Sequence, residues 1–422
     1  VIEKKVRAPR TRKSVSQEAY TLGALTPSRL VEPRDAAETA AALRAANDAG
    51  EAVVVYGGGT LQRAANAPAR YDVVVSTKRL DTVYDYDPRD LTAGVGAGMT
   101  VAELQRTLAK HGQFLPLDAP FAQQATVGGT LAAGWAGPRR AAYGRPRDLL
   151  IGVTVALTDG TLASSGGMVV KNVTGYDMGK LYVGSHGTLG AIVRANFKVL
   201  PAPAVRRIAI APFDEELRER AVAHALGLTL EPVALLLIDG FREAIPPARP
   251  RLVALLEGSE AVVDRATREL RSALGAAGVA ETRLLDGEDA ARAFQSVLDA
   301  YAARDGESSL TMIGRGLPSD AAERAQRVRS AIRGAETIAD VRTGDVVVRV
   351  REDLTRSADG DVPQVDSTIR DLIGHATLLR AGAATRADAW GEAPATLATM
   401  RTLKATFDPQ NVLAPGRFVG GI

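Results

Sequence analysis

The sequence predicts an α+β protein, and three observations carry that prediction. The first two hundred residues alternate short strands, short helices and glycine-rich turns. The pair Pro201-Ala-Pro203 then breaks the pattern, and the residues beyond it run strand, helix, strand, strand, helix, strand. That last order is the order of a ferredoxin-like unit, so one glycine-rich domain is expected to precede a second, regular α+β domain.

The 422 residues suffice for roughly two to three domains with a sizeable core. A hydrophobic share of 46% beside 24% charged residues reads as a soluble globular chain. The net charge is only +3, and six basic residues (Lys4, Lys5, Arg7, Arg10, Arg12, Lys13) crowd into the start. The body is therefore near neutral, and nothing in it points to a nucleic-acid partner. Residues 1–22 are expected to form a basic, disordered tail that at most touches the inner face of a membrane. The sequence holds no run approaching the roughly 18 apolar residues needed to span a bilayer and no secretory pattern, so a cytoplasmic home is expected. With no cysteine, the chain has no disulfide, thiol nucleophile or cysteinyl iron–sulfur cluster of its own. The four histidines (His111, His186, His224, His375) have no metal-ligand spacing, and no metal site is expected.

Residues 23–203 form the predicted first domain. Residues 36–49 are helix-forming and stop at Gly50, after which Val53-Val54-Val55 is a strand. A second strand is expected at 73–76, and strand and turn at 91–98. Thr100 and Glu103 have the spacing of a capping box, opening a helix whose buried face carries Val101, Leu104 and Leu108 before Gly112 ends it. Strands are then expected at 149–157, 168–170 and 189–200. In the second domain, 204–392, strands are predicted at 208–211, 233–238, 252–257, 281–285, 309–313 and 344–350. Helices fall at 215–226, 261–274, 288–302 and 318–333, and 354–367 reads as a surface loop. Residues 393–422 begin with a helix over 394–407 and end in an apolar, Pro/Gly-punctuated tail that should pack back on the first domain.

The chemistry sits in the glycines. Val53-Val54-Val55-Tyr56 runs directly into Gly57-Gly58-Gly59-Thr60, a strand followed by residues that can aim several backbone N–H groups at one anion. The loop has neither the Gly-Lys-Ser/Thr of a Walker A motif nor the G-x-G-x-x-G spacing of a Rossmann turn, and three glycines alone also serve a plain flexible connection. A second small-residue stretch, Gln124 to Gly137, fits a long ligand with phosphates in its middle once both segments share a domain.

Five ordered motifs together resemble one family. Tyr56-Gly-Gly-Gly-Thr60, Ala125-Thr-Val-Gly-Gly129, Lys171-Asn-Val-Thr-Gly-Tyr-Asp177, Gly184-Ser-His-Gly-Thr-Leu-Gly-Ala-Ile192 and Asp408-Pro to Pro415-Gly-Arg417 are similar to FAD-linked oxidases of the vanillyl-alcohol oxidase / p-cresol methylhydroxylase type, and within it to the FAD-binding subunits of glycolate oxidase. The resemblance is densest over 30–203 and returns at the C-terminus. It implies a two-subdomain FAD-binding domain of the p-cresol methylhydroxylase type followed by a ferredoxin-like cap. It also implies FAD-binding roles for Gly57, Gly58, Gly59, Thr60, Leu61 and Gln62 at the pyrophosphate. Thr126, Val127, Gly128 and Gly129 would lie along the ribityl and phosphate region, Gly134 and Tyr143 nearby, and Ile192 at the adenosine end. The glycine loop lacks histidine and the chain lacks cysteine, so noncovalent FAD is expected.

Related 2-hydroxyacid dehydrogenases carry a glutamate where this chain has His186, and cap-domain metal ligands that it lacks. Ala414 stands where relatives carry asparagine. The function implied is oxidation of a small 2-hydroxy acid, with Lys171 and Arg315 as candidates for its carboxylate and His186 or Tyr176 for proton transfer. The other implied role is electron relay beside a second flavoprotein subunit and an iron–sulfur subunit. A non-catalytic nucleotide-binding or regulatory module is the alternative reading.

Overall fold

The computed structural model describes residues 16–169, 175–246, 249–302, 309–351, 363–380 and 388–422. Its first layer is a parallel sheet of β1 (Arg29–Val31), β2 (Val53–Tyr56) and β3 (Val73–Ser76) in the order β1-β3-β2. Parallel pairing of β1 and β3 requires a crossover, and the helix Ala36–Asp48 lies within it. Asp35 caps that helix by accepting from the Glu38 N–H at 2.8 Å. Ala36, Ala40 and Leu43 then bury against Val53, Val73 and Val75.

The following strands are β4 (Val83–Asp87), β5 (Thr92–Gly96), β6 (Gln113–Phe114), β7 (Leu150–Ala156), β8 (Leu162–Gly166), β9 (Ala191–Lys198) and β10 (Leu200–Pro201). Five of them form an antiparallel sheet in the order β4-β5-β9-β7-β8, and β6 pairs with β10. Thr100 caps the helix Val101–Ala109 as its spacing predicts, accepting from the Glu103 N–H at 3.1 Å. The strand expected at 168–170 is displaced. The pairing strand is β8, and Val169 is 60% exposed, because Leu162-Ala-Ser-Ser-Gly166 is too polar to announce itself yet completes the ladder with β7.

The remaining strands, β11 (Val205–Pro212), β12 (Ala234–Asp239), β13 (Arg251–Gly258), β14 (Arg283–Asp286), β15 (Ser309–Gly314), β16 (Glu336–Asp340), β17 (Val346–Arg351) and β18 (Ala376–Arg380), make one antiparallel sheet in the order β14-β11-β13-β12-β16-β17-β15-β18. Two ferredoxin-like units build it. The first runs β11, helix Arg218–Leu226, β12, β13, helix Glu260–Ala276, β14; the second runs β15, helix Ala321–Ala331, β16, β17, helix Pro363–Ile373, β18. They join edge to edge where β12 meets β16. The sequence reading recognised only the first unit. It missed β16 and β18 and took 354–367 for a loop, whereas a helix begins at Pro363; residues 354–362 of that stretch lie outside the described set.

Four helices of the two units cover one face of this sheet. The opposite face faces the first domain, through Ile208, Ile210 and Ile313 among others, and packs with Ala64 and Trp135. The helix Gly287–Ala302, which links the units, covers the β11 and β14 side of that face. The β15 and β18 side stays open toward the glycine-rich domain. None of the described helices is long and apolar enough to cross a membrane.

Candidate active site

The glycine loop leaves β2 at its carboxyl end, where ligands bind in open α/β sheets. Close backbone approach dictates glycine there. A Cβ on Gly57 would lie 2.2 Å from Thr126 Oγ1, and one on Gly58 only 1.9 Å from the Gln124 carbonyl oxygen. On the facing segment, a Cβ on Gly128 would sit 2.6 Å from the Ala97 Cβ. The two glycine-rich segments thus lie against each other and line a common cleft, the Gly128 N–H being donated to the Ala97 carbonyl at 2.8 Å. Gly57 to Gln62, Thr126, Gly128, Gly129, Ile192, His186 and Arg417 line it. Thr126 holds its own turn in place, its hydroxyl accepting from the Gly129 N–H at 3.2 Å.

Arg417 is the one side-chain cation among the described residues lining this cleft, and it is 2% exposed. Its Nη2 donates to the Gln62 carbonyl at 2.7 Å and to Gln62 Oε1 at 3.0 Å. Its Nε is buried without a partner, and no described carboxylate pairs with it. Burial pushes its pKa down to about 10, partly offset by Tyr71 and Tyr56. A buried guanidinium without a counter-ion is costly unless an anion completes the site. Tyr71 OH and Ser76 Oγ are also buried and unpartnered.

Arg417 is delivered by a knot in the C-terminal segment. Lys404, on the helix Leu397–Phe407, is buried and donates to Asp408 Oδ2 at 2.6 Å, to the Leu413 carbonyl at 2.7 Å and to the Thr188 carbonyl at 3.0 Å. Asp408 in turn accepts from the Val412 and Leu413 N–H groups at 3.0 and 2.7 Å. The segment then lies along β2, with Val53 donating to Val412 and Ala414 donating back to Val53, both at 2.7 Å. Ala414 therefore engages through its backbone.

A second cavity of about 340 Å³ adjoins the first, sharing Leu61, Ala133 and His186 with it. Trp135 and Val183 wall it from the glycine-rich domain, Ile313, Thr377 and Leu379 from the cap sheet, and Trp390 and Phe418 from the C-terminal side. Trp390 is fixed by its indole N–H, which donates to the Arg417 carbonyl at 2.9 Å. Four arginines line this cavity (Arg140, Arg145, Arg147 and Arg315), and no described Asp or Glu does. Arg140 is neutralised by Asp345 of the cap at 2.6 Å, and Arg147 stands 3.8 Å from Asp148. Arg145 and Arg315 have no ion-pair partner among the described residues.

His186 stands between the cavities. Its φ is +52°, an unusual conformation for a non-glycine residue, held by its N–H donating to the Ala132 carbonyl at 2.8 Å. The ring meets Trp390 edge-on at 4.8 Å and Phe418 at 5.7 Å between centroids. Burial, then the charges of Arg417 and Arg315, drive its pKa down to about 3, so the imidazole is neutral at physiological pH.

The structure thus gathers most of the residues singled out from sequence. Gly57 to Gln62, Thr126, Gly128, Gly129 and Ile192 line the first cavity, Gly134 and Arg315 the second, and His186 both. Three do not face the cavities. Val127 is a fully buried core residue whose N–H donates to the Met99 carbonyl. The Tyr143 hydroxyl donates instead to Glu257 of β13 at 2.8 Å, tying the two domains. Tyr176 is 90% exposed and lines neither cavity. Lys171 lies outside the described residues. Sequence reasoning missed Arg417, Arg145 and Trp390 as site residues. Arg417 had a signal, as the end of the Pro-Gly-Arg motif.

These features fit FAD. The first cavity offers peptide N–H groups without Cβ atoms and an orphaned guanidinium for a pyrophosphate, and the second offers an apolar, aromatic-walled space for a ring system. A model of the FAD binding domain matches residues 27–166, and one of the C-terminal domain of FAD linked oxidases matches residues 389–418. Glycolate oxidase subunit GlcD of Bacillus subtilis (strain 168) is 26% identical over 93% of this chain and 88% of that protein. Glycolate oxidase subunit GlcE of Escherichia coli (strain K12) is 34% identical over 44% of this chain, and D-lactate dehydrogenase of Archaeoglobus fulgidus is 33% identical over 44%. Those two matches span only 51% and 41% of the relatives' own lengths. Among solved structures, p-cresol methylhydroxylase with substrate bound superposes with a TM-score of 0.67 at 16% identity, covering 92% of this chain and 88% of that one. Alkyldihydroxyacetonephosphate synthase gives 0.67 at 17% identity, covering 92% and 75%. The orphaned guanidinium, the Cβ-free cradle and the two domain matches converge: the chain carries an FAD binding domain and the C-terminal domain of FAD linked oxidases, has the fold of p-cresol methylhydroxylase, and is an FAD-dependent oxidoreductase.

Proposed function

We propose that this chain binds FAD noncovalently and oxidises a small 2-hydroxy acid to the 2-oxo acid. The observation that carries the reading is the cationic second cavity, which opens directly onto the FAD cleft through His186 and Leu61. Oxidation of the substrate breaks its α-C–H and O–H bonds, the hydride passing to FAD when that cofactor is bound and the proton to a base. Arg315, at the end of β15, is in place to hold the substrate carboxylate. His186 is the proton acceptor we assign, Tyr176 being too exposed. Its basicity is suppressed by burial and by the guanidinium groups of Arg417 and Arg315. An anion beside each guanidinium offsets that repulsion, while burial, the larger cause, keeps the imidazole neutral and so able to accept a proton. Trp390 and Phe418 hold the ring in one orientation and exclude water from it.

We further propose that the chain works as one subunit of a larger assembly, as the names of the GlcD and GlcE relatives suggest. Its sequence contains no cysteine to ligate a cluster, so electrons leave for an acceptor outside these residues, for which an iron–sulfur partner is suited. The test is anaerobic mixing of the purified yellow protein with a panel of 2-hydroxy acids while the flavin absorbance is followed. Bleaching without any partner is the expected result. A flavin that stays oxidised with every acid, yet is reduced when a partner flavoprotein is added, assigns this chain to relay instead. Acid precipitation should release all the FAD, and a yellow pellet would refute noncovalent attachment.

A further inference from the structure

We propose that the substrate cavity is built for a 2-hydroxy acid carrying a second anionic group, with Arg145 and Arg315 each meeting one of the two anions. The inference rests on the hydroxy-acid reading above and narrows it. A monocarboxylate needs one cation. This cavity presents two that have no acidic partner among the described residues, and they come from different domains: Arg145 immediately precedes the turn Pro146–Leu149 of the glycine-rich domain, and Arg315 follows β15 of the cap. The other arginines are already engaged, Arg140 with Asp345 and Arg147 with Asp148. Arg145 and Arg315 both reach solvent at the cavity, and because no described carboxylate lines it, a bound monoanion leaves one of the two guanidinium groups without a counter-charge. The unmatched guanidinium stays hydrated, so selectivity comes from the additional charge-assisted pair that a second anion forms, and the cavity favours ligands that meet both arginines. The guanidinium fork suits carboxylate and phosphate equally, so either chemistry serves as the second anion.

The test separates binding from turnover. Redox-inert succinate and malonate, with acetate and propionate as monoanionic controls, are titrated into the FAD-loaded protein, and the perturbation of the flavin spectrum is read as a dissociation constant. The dianions should bind at least tenfold more tightly than the monoanions. Arg145→Met and Arg315→Met, prepared separately, should each reduce that ratio at least tenfold. Anaerobic flavin reduction is then compared for malate and 2-hydroxyglutarate, for a phosphate-bearing 2-hydroxy acid, and for glycolate and lactate. Preference for the first pair assigns a second carboxylate, and preference for the phosphate compound assigns a phosphate. Dianion-selective binding without reduction by any acid sinks the catalytic reading but upholds this one. Equal affinity for mono- and dianions, or a ratio unmoved by both substitutions, overturns it. So does a loss confined to flavin potential in either variant, which would make that arginine a partner of the ring.

Discussion

Replacing Arg417 with methionine should weaken FAD binding while leaving the apoprotein at least as stable as before. The residue is 2% exposed, lacks an acidic partner, and holds its charge at a cost. A pKa pushed down to about 10 by burial corresponds to about 3 kcal/mol withheld from the charged form, a penalty present in full at neutral pH and relieved only above the depressed pKa. Methionine removes that penalty but also the two bonds to Gln62, so the apoprotein's Tm should be unchanged or slightly raised. With FAD present the sign reverses. The unpartnered Nε is free to donate a charge-assisted hydrogen bond, worth about 1.5–3 kcal/mol, or roughly a 10- to 150-fold change in affinity. The assay is titration of deflavinated protein with FAD, followed by quenching of flavin fluorescence, alongside thermal melts with and without cofactor. A dissociation constant within threefold of the parent, or an apoprotein melting several degrees lower, would show that Arg417 is a structural cation and that the cleft does not await an anion.

Three further substitutions probe the frame around that site. Gly58→Ala would drive a methyl into the Gln124 carbonyl, so it should abolish FAD retention or soluble expression, whereas Gly167→Ala, with nothing within 4 Å of the new Cβ, should keep bound flavin at the parent level in an absorbance ratio. Lys404→Met leaves the Asp408 carboxylate buried beside unpaired carbonyls and should cost about 3–5 kcal/mol in denaturant unfolding, with loss of FAD as the C-terminal segment detaches. Asp340, whose pKa is raised to about 6 chiefly by burial, stays protonated when folded at pH values where the unfolded chain has released the proton; stability therefore falls as pH rises from about 4 through 6 and stays lower above it, by up to about 3 kcal/mol. Asp340→Asn keeps an acceptor for the Arg342 and Thr343 N–H groups and cannot ionise, so its Tm should exceed the parent's at pH 8 and match it at pH 4.

Local signals were sufficient for the elements whose cause is local. Thr100 and Glu103 announced a helix because the cap is a contact between neighbours in sequence, and the valines of β2 announced a strand because they are buried on both faces. β8 and β16 failed for the opposite reason. Leu162 to Gly166 pairs with β7 on one side only, and its polar alternation looks like a turn. β16, Glu336–Asp340, becomes a strand by inserting between β12 and β17, an event set by partners about a hundred residues upstream and a few residues downstream. The doubling of the ferredoxin-like unit was invisible because its second copy shares topology with the first, not residues.

The same division runs through the site. Backbone N–H groups can hold a pyrophosphate only where glycine lets the backbone approach, and close packing of two segments asks for glycine as well; both requirements write themselves into consecutive positions, which is why Gly57 to Gly59 and Gly128 to Gly129 could be read directly. The second cavity obeys no such spacing. Arg145, Arg315 and Trp390 meet in one cavity although more than two hundred residues separate the first from the last, and Arg140 lines it while paired to Asp345 across the domain boundary. Each is, in sequence, an ordinary exposed or half-buried residue. What gives them meaning is the sum of charge in a cavity with no acid among its described lining residues, a property of the assembled fold. A protein whose first cavity is built by backbone and whose second is lined by side chains from separate domains can change the second while keeping the first, and here that separation falls at His186, which lines both.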